Sequence, residues 1–205
     1  EGVVTVDRKS SVTVDLLRLG VMDTEAALAH HQRIAETIGA DPSRLTGWEH
    51  HLEMSCDPDL ALDTLADLSQ RSPQLVVGLL DDNDSACRLV RLLGASSELA
   101  RLLVAHPDDL AEIARDPVRR SRDEIRNDLL EVVGAHEDGE FLVAERPTGP
   151  AADRLRLANR RHLVRIASRD VGADDPTEVV EDIAGELADL ADAVVAAALA
   201  LTRAD

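Results

Sequence analysis

The sequence predicts an all-α fold, with many short helices followed by two long C-terminal helices in a bundle. Three observations predict it. Aromatic residues make up 1 % of the chain, Trp48 and Phe141 being the whole inventory, so the core must be Leu, Ala, Val and Ile. Such aliphatics interdigitate well between helices and lack the aromatic pairs that favour sheets. Helix start and stop signals recur along the chain. Convincing strand alternation is missing except at Val3-Val4-Thr5-Val6, near a terminus where fraying is expected.

The elements follow from that punctuation. Helices are expected near 10–19, 24–38, 43–54, 58–70, 73–80, 85–93, 97–105, 107–114, 120–133, 152–170 and 177–203. Asp23 can accept from free amides at the start of the second, and Gly39 allows a left-handed exit. Pro58, Pro73 and Pro107 stand at first helical positions, where a missing N–H costs nothing. Asp84 or Ser85 is expected to open the helix that stops at Gly94, and Ser96 to cap the next, with Glu98 in its first turn. Helices this short are marginal alone and need tertiary packing. Gly139, Pro147, Gly149 and Pro150 mark a loop. The expected organisation is a short-helix subdomain over 1–134, a loop or linker over 135–150, and two long helices over 151–205.

Composition bounds function. The 205 residues can bury a sizeable core. The formal charge of −18, from 40 acids against 22 basic residues, repels phosphates and argues against nucleic acid. No apolar run reaches the ~20 residues that span a bilayer, and no signal peptide is visible. Cys56 and Cys87, without CxxC spacing, read as reduced thiols of a cytoplasmic protein.

The two long helices carry the most pattern. Projected at ~100° per residue, Val179, Val180, Ile183, Ala184, Leu187, Leu190, Ala191, Val194 and Val195 share one sector, expected to face the core. Glu178, Glu181, Asp182, Glu186, Asp189 and Asp192 fall opposite. From Ala193 to Thr202 no charge occurs, which fits either an end covered by a partner or alanine acting as a good helix former. Val194, Val195, Leu199 and Leu201 are the candidate interface. Six arginines lie between Arg154 and Arg169. Arg154, Arg161, Arg165 and Arg169 form a stripe expected to be solvated, whereas Arg156 and Arg160 fall among apolar positions. A guanidinium there needs a carboxylate or carbonyl, from within the fold or from a neighbouring domain or phosphate. Arg156, Arg160, Arg161 and Arg165 are therefore candidate ion-pair or interdomain contacts.

No catalytic, cofactor-binding or metal-binding set is predicted. His30-His31 and His50-His51 are adjacent pairs whose members diverge on a helix; HExxH and paired Glu-x-x-His are absent. These histidines read as surface or boundary residues. Gly94-Ala95-Ser96-Ser97 with Asp108-Asp109 has the composition of a nucleotidyltransferase signature. The acids are adjacent and open a helix, whereas that chemistry needs them alternating on a strand.

Leu92-Leu93-Gly94-Ala95-Ser96-Ser97-Glu98-Leu99-Ala100-Arg101-Leu102-Leu103 with His106-Pro107 resembles the N-terminal region of bifunctional glutamine synthetase adenylyltransferase/adenylyl-removing enzymes. Leu155-Arg156, Arg160-Arg161, Leu163, Arg165-Ile166 and Arg169-Asp170, followed by Leu187 to Ala193, resemble the helices before that family's first nucleotidyltransferase domain. The resemblance is good from about 85 to 200 and loose over the first 80 residues. It implies a parent enzyme that removes AMP from a glutamine synthetase tyrosine by phosphorolysis and attaches AMP from ATP, with Mg2+ and ATP or ADP as cofactors. Glutamine synthetase and a PII-type regulator would be its partners. The family's Gly-Ser turn and paired aspartates follow the last helix, so the resemblance implies that residues 1–205 carry none. The competing reading is a free-standing helical protein-interaction or regulatory module.

Overall fold

The computed structural model describes residues 8–115 and 118–204. Among these residues the fold is all-α apart from one short hairpin. Val3 to Val6 lies outside the described residues. The chain divides into two compact units, residues 1–115 and 116–205. The subdomain boundary expected at 134–150 thus falls within the second unit, because the helix at Arg122–Val132 packs on the C-terminal helix.

The first unit contains α1 (Arg8–Arg18), α2 (Thr24–Ile38), α3 (Pro58–Arg71), α4 (Pro73–Leu80), α5 (Asn83–Ala95) and α6 (Ser97–Ala105). Tight 3-10 turns run over Trp48–Met54 and Pro107–Glu112. The segment expected as a helix over 43–54 is helical only from Trp48, and in 3-10 form. Helix α3 is the centre: Ala61, Leu62, Leu65, Ala66 and Leu68 are fully buried, packed against α2, α4, α5 and α6. Asp59, in its first turn, accepts from the amides of Met22 and Asp23 at 2.8 and 3.0 Å, fixing the α1–α2 corner to α3. Arg88 of α5 donates to the Ile113 carbonyl through Nε and Nη2 at 3.2 and 3.0 Å.

Asp23 and Ser96 accept from amides at their helix starts, as expected, and Asp57 does the same ahead of Pro58. Helix α5 departs from expectation at both ends. Asp82, not Asp84 or Ser85, is its cap, and Gly94 lies inside it. Gly94 is needed for close approach: a Cβ there would stand 1.9 Å from Ser55 Oγ and 2.6 Å from the Asp57 carbonyl oxygen.

The second unit contains α7 (Arg122–Val132), β1 (His136–Asp138), β2 (Phe141–Val143), α8 (Thr148–Gly172) and α9 (Pro176–Ala204). The strands pair antiparallel, Asp138 opposite Phe141 and His136 opposite Val143. Gly139, at φ +64°, makes the turn. This hairpin replaces the expected loop. It is held to α9 by Ala144 N–H donating to the Ala200 carbonyl at 3.0 Å and by the Arg203 guanidinium 4.6 Å above the Phe141 ring. Helix α8 begins at Thr148, so Gly149 and Pro150 form its first turn rather than a linker.

Ile183, Glu186, Leu190, Ala193, Ala197, Ala200 and Ala204 are the buried line of α9. They alternate by three and four residues, the spacing of a helix–helix seam. Four alanines in its C-terminal half leave room for a close neighbour. The seam is rotated from the expected sector toward the acidic side, and Ala184, Leu187, Ala191 and Val195 are exposed.

Candidate functional site

The acidic side of α9 is held by the segment entering α7. Arg119 reaches Asp182 at 2.6 Å and Asp189 at 3.7 Å. Arg122 reaches Asp192 at 2.8 Å and Asp189 at 4.0 Å. The Arg120 N–H donates to Glu186 Oε1 at 3.0 Å. Asp182, Glu186 and Asp189 recur by four and three residues, so all face one strap of chain. Ser121 locks that strap to α7 with a capping box, exchanging hydrogen bonds with Glu124.

The sixth arginine of the cluster completes the arrangement from the other side. Arg169, expected on a solvated stripe, is 13 % exposed and lies 2.6 Å from Glu186 Oε2, itself 3 % exposed. The two atoms touch without hydrogen-bond alignment, so their attraction is ionic. Beside them His162 Nε2 meets Asp128 at 2.9 Å and Arg120 donates to the same carboxylate at 2.8 Å. Burial lowers the His162 pKa and outweighs the pull of Asp128. For Asp128 burial acts upward, but hydrogen bonds and charge from Arg120, aided by His162, hold its carboxyl below the usual range.

The structure spreads the expected arginine contacts. Arg156 is exposed and pairs with Asp153 one turn back at 2.5 Å, so its place among apolar positions needs no outside partner. Arg165 donates to the Val118 carbonyl. Arg160 is half-buried and Arg161 exposed. Of the expected interface, Val195 and Leu199 are 59 % and 47 % exposed, Val194 is half-buried, and Leu201 is buried in the seam. Val195 and Leu199, together with Val180 and Leu187, define an exposed apolar line along α9.

In the first unit, sequence reasoning missed a buried polar cluster. His31 Nε2 and Glu49 Oε1 lie 2.8 Å apart, each 1 % exposed in the side chain, and Glu49 accepts from Thr46 N and Oγ1 at 2.9 and 2.8 Å. His31 stacks on Trp48. His31 and His51 are therefore core residues, not surface ones. Burial, with the charges of His50 and Arg91, lowers the His51 pKa. Nothing in a single sequence links positions 31 and 49. Cys56 is exposed, Cys87 half-buried, and they form no disulfide. Among the described residues no group of three or more His, Cys, Asp or Glu could hold a metal ion, and no helix is long and apolar enough to cross a membrane.

A family model described as glutamate-ammonia ligase adenylyltransferase matches residues 86–205, from α5 to the end of α9. A bifunctional glutamine synthetase adenylyltransferase/adenylyl-removing enzyme of Cutibacterium acnes is 74 % identical over 98 % of this chain and 20 % of its own length. The protein of that description from Streptomyces coelicolor is 38 % identical over 98 % of this chain and 19 % of its own. One from Bifidobacterium longum is 33 % identical over 93 % of this chain and 18 % of its own. The chain thus spans about one-fifth of the length of these relatives. No solved structure matches significantly. With more than half of its residues covered by the family model and near-complete alignment to these relatives, the chain belongs to the glutamate-ammonia ligase adenylyltransferase family.

Proposed function

We propose that this chain is a non-catalytic helical segment of a cytoplasmic enzyme that removes AMP from a tyrosine of glutamine synthetase by phosphorolysis and also adds AMP to it. Its role is to support the first nucleotidyltransferase domain, which lies in the same polypeptide. Glutamine synthetase and a PII-type regulator act through the parent protein. The observation that carries the reading is the 74 % identity, over nearly the whole chain, to one-fifth of a protein described as having both activities.

The chemistry of the second unit supports a scaffolding role. Asp182, Glu186 and Asp189, the acids that recur along one side of α9, are each engaged by arginine side chains or a backbone N–H. Those residues do not fit a magnesium site, because guanidinium groups already supply their counter-charge. On this reading Mg2+ and ATP or ADP act in the parent's nucleotidyltransferase domains. What this chain supplies is α9 held at a fixed rotation, with Val194, Val195 and Leu199 on its accessible side and Arg160, Arg161 and Arg165 on α8 as candidate contacts.

The test is AMP release from adenylylated glutamine synthetase, with phosphate and magnesium, by this chain and by the polypeptide from its native locus. The longer polypeptide should release AMP and the 205-residue chain should not. Release by the chain alone, or none by the longer protein, would overturn the reading.

A further inference from the structure

The acidic clamp turns an apolar line of α9 outward. Val180, Leu187, Val195 and Leu199 are 56 %, 41 %, 59 % and 47 % exposed, and Ala184, Ala188 and Ala191 between them are exposed as well. The line runs roughly 28 Å along the helix, at about 1.5 Å per residue, with Asp192, paired to Arg122, on its border between Ala188 and Leu199. Scattered apolar residues on a surface are ordinary; a continuous line this long marks a docking site.

Helix α9 cannot hide this line by rotating. Turning it inward would pull Asp182 and Asp189 from Arg119 and Arg122, and Glu186 from Arg169 and the Arg120 amide. It would also replace Ala193, Ala197 and Ala200 in the seam by bulkier Val195 and Leu199, where space fits alanine. The outward position of the line is therefore fixed by the rest of the unit.

The shape and charge of the line select its occupant. Large and small aliphatics alternate at helical spacing, giving ridges and grooves that receive another helix rather than an extended strand. Exposed Glu178 and Glu181 flank the line on one border, so the occupant should be basic along that edge. Relatives matching nearly all of this chain are about five times longer, which provides a source in the same polypeptide.

We infer that the Val180–Leu187–Val195–Leu199 face of α9 docks an amphipathic helix from outside residues 1–205 of the same polypeptide, apolar at three-four spacing and carrying Lys or Arg opposite Glu178 and Glu181. This rests on the proposed reading of the chain as one segment of a longer enzyme, and it names the partner of that segment.

The test places p-benzoylphenylalanine at position 187 or 195 of the polypeptide from the native locus and maps photo-crosslinks by mass spectrometry. Both positions should link to one helix beyond residues 1–205 of the same molecule, with basic residues on one border. Glu181→Lys should lower the crosslink yield several-fold. Crosslinks to a second copy, to a strand or acidic-bordered helix, to another protein, or to no peptide would overturn the inference. AMP release and transfer by the unsubstituted polypeptide are assayed beside it. Loss of those activities with correct crosslinks sinks the functional reading alone; wrong crosslinks with intact activities sink the docking inference alone.

Discussion

Arg169 of α8 and Glu186 of α9 meet at 2.6 Å inside the second unit, with 13 % and 3 % of their side chains exposed. Glu186 occupies a seam position between Ile183 and Leu190, where an aliphatic residue would ordinarily sit. Its second oxygen accepts from the Arg120 amide. One carboxylate thus links α8, α9 and the strap leading into α7, and it sets which side of α9 faces inward.

Removing one partner of such a pair strands a buried charge. Glu186→Ala should destabilise the second unit by about 3 kcal/mol or more, seen as faster hydrogen exchange along α8 and α9. Replacing both partners, Arg169→Met with Glu186→Leu, should recover most of the loss, because two packed aliphatics need no counter-charge. A silent Glu186→Ala variant would contradict this.

Acid should loosen the same unit. The folded pKa of His162 is lowered from 6.5, first by burial, so the folded state holds the ring neutral while the unfolded chain protonates near 6.5. That stabilisation is present above the unfolded value and is lost as pH falls through the folded one. Asp128, also lowered, adds a loss at lower pH, below its ordinary 3.8. Exchange protection of α8 should therefore fall as pH drops below about 6.5, and His162→Gln should flatten that dependence. Protection that rises on acidification would refute the assignment.

Much of the architecture was legible because it is written in local chemistry. Asp23 and Ser96 cap their helices through short-range bonds that spacing alone reveals. The hairpin also carried a local signal: Gly139-Glu140, with glycine first, is a favoured two-residue turn, obscured by the loop-forming residues around it. The rotation of α9 was not legible from its own pattern, since periodicity shows that a helix has an apolar side but not which side is covered. The missing signal was relational, in Arg119, Arg120 and Arg122 matching acids at 182, 186, 189 and 192, more than sixty residues away. Gly94 was legible as special but not for the right reason. Its role depends on Ser55 and Asp57 crossing α5 at close range.

That crossing gives a contrast between glycines. Gly94→Ala would drive a Cβ to 2.6 Å from the Asp57 carbonyl oxygen, so backbone must shift, at about 1–3 kcal/mol. Gly39→Ala meets no atom within 4 Å and suffers only from its φ of +73°, about 1 kcal/mol. Urea unfolding followed by Trp48 fluorescence should rank Gly94→Ala as the more damaging change. The reverse order would show that α5 and the 55–57 turn can separate freely.

The His31–Glu49 cluster should govern the surroundings of Trp48. Glu49→Ala leaves three donors without their carboxylate, Thr46 N, Thr46 Oγ1 and His31 Nε2. The expected cost is about 3 kcal/mol, with a red shift of Trp48 emission as the 3-10 segment loosens. Unchanged emission and urea midpoint would show that Glu49 does not hold this segment.

The central claim is that α9 keeps its acidic side for internal contacts and offers an apolar side outward. Val195 and Ala197 stand two residues apart on these different sides, 59 % and 0 % exposed. Introducing aspartate at each measures the claim directly, with stability read on this chain and AMP release read on the longer polypeptide. Val195→Asp should change stability by no more than about 0.5 kcal/mol yet depress AMP release, whereas Ala197→Asp should unfold the second unit. Equal destabilisation by the two substitutions, or full AMP release by the Val195→Asp polypeptide, would contradict the account.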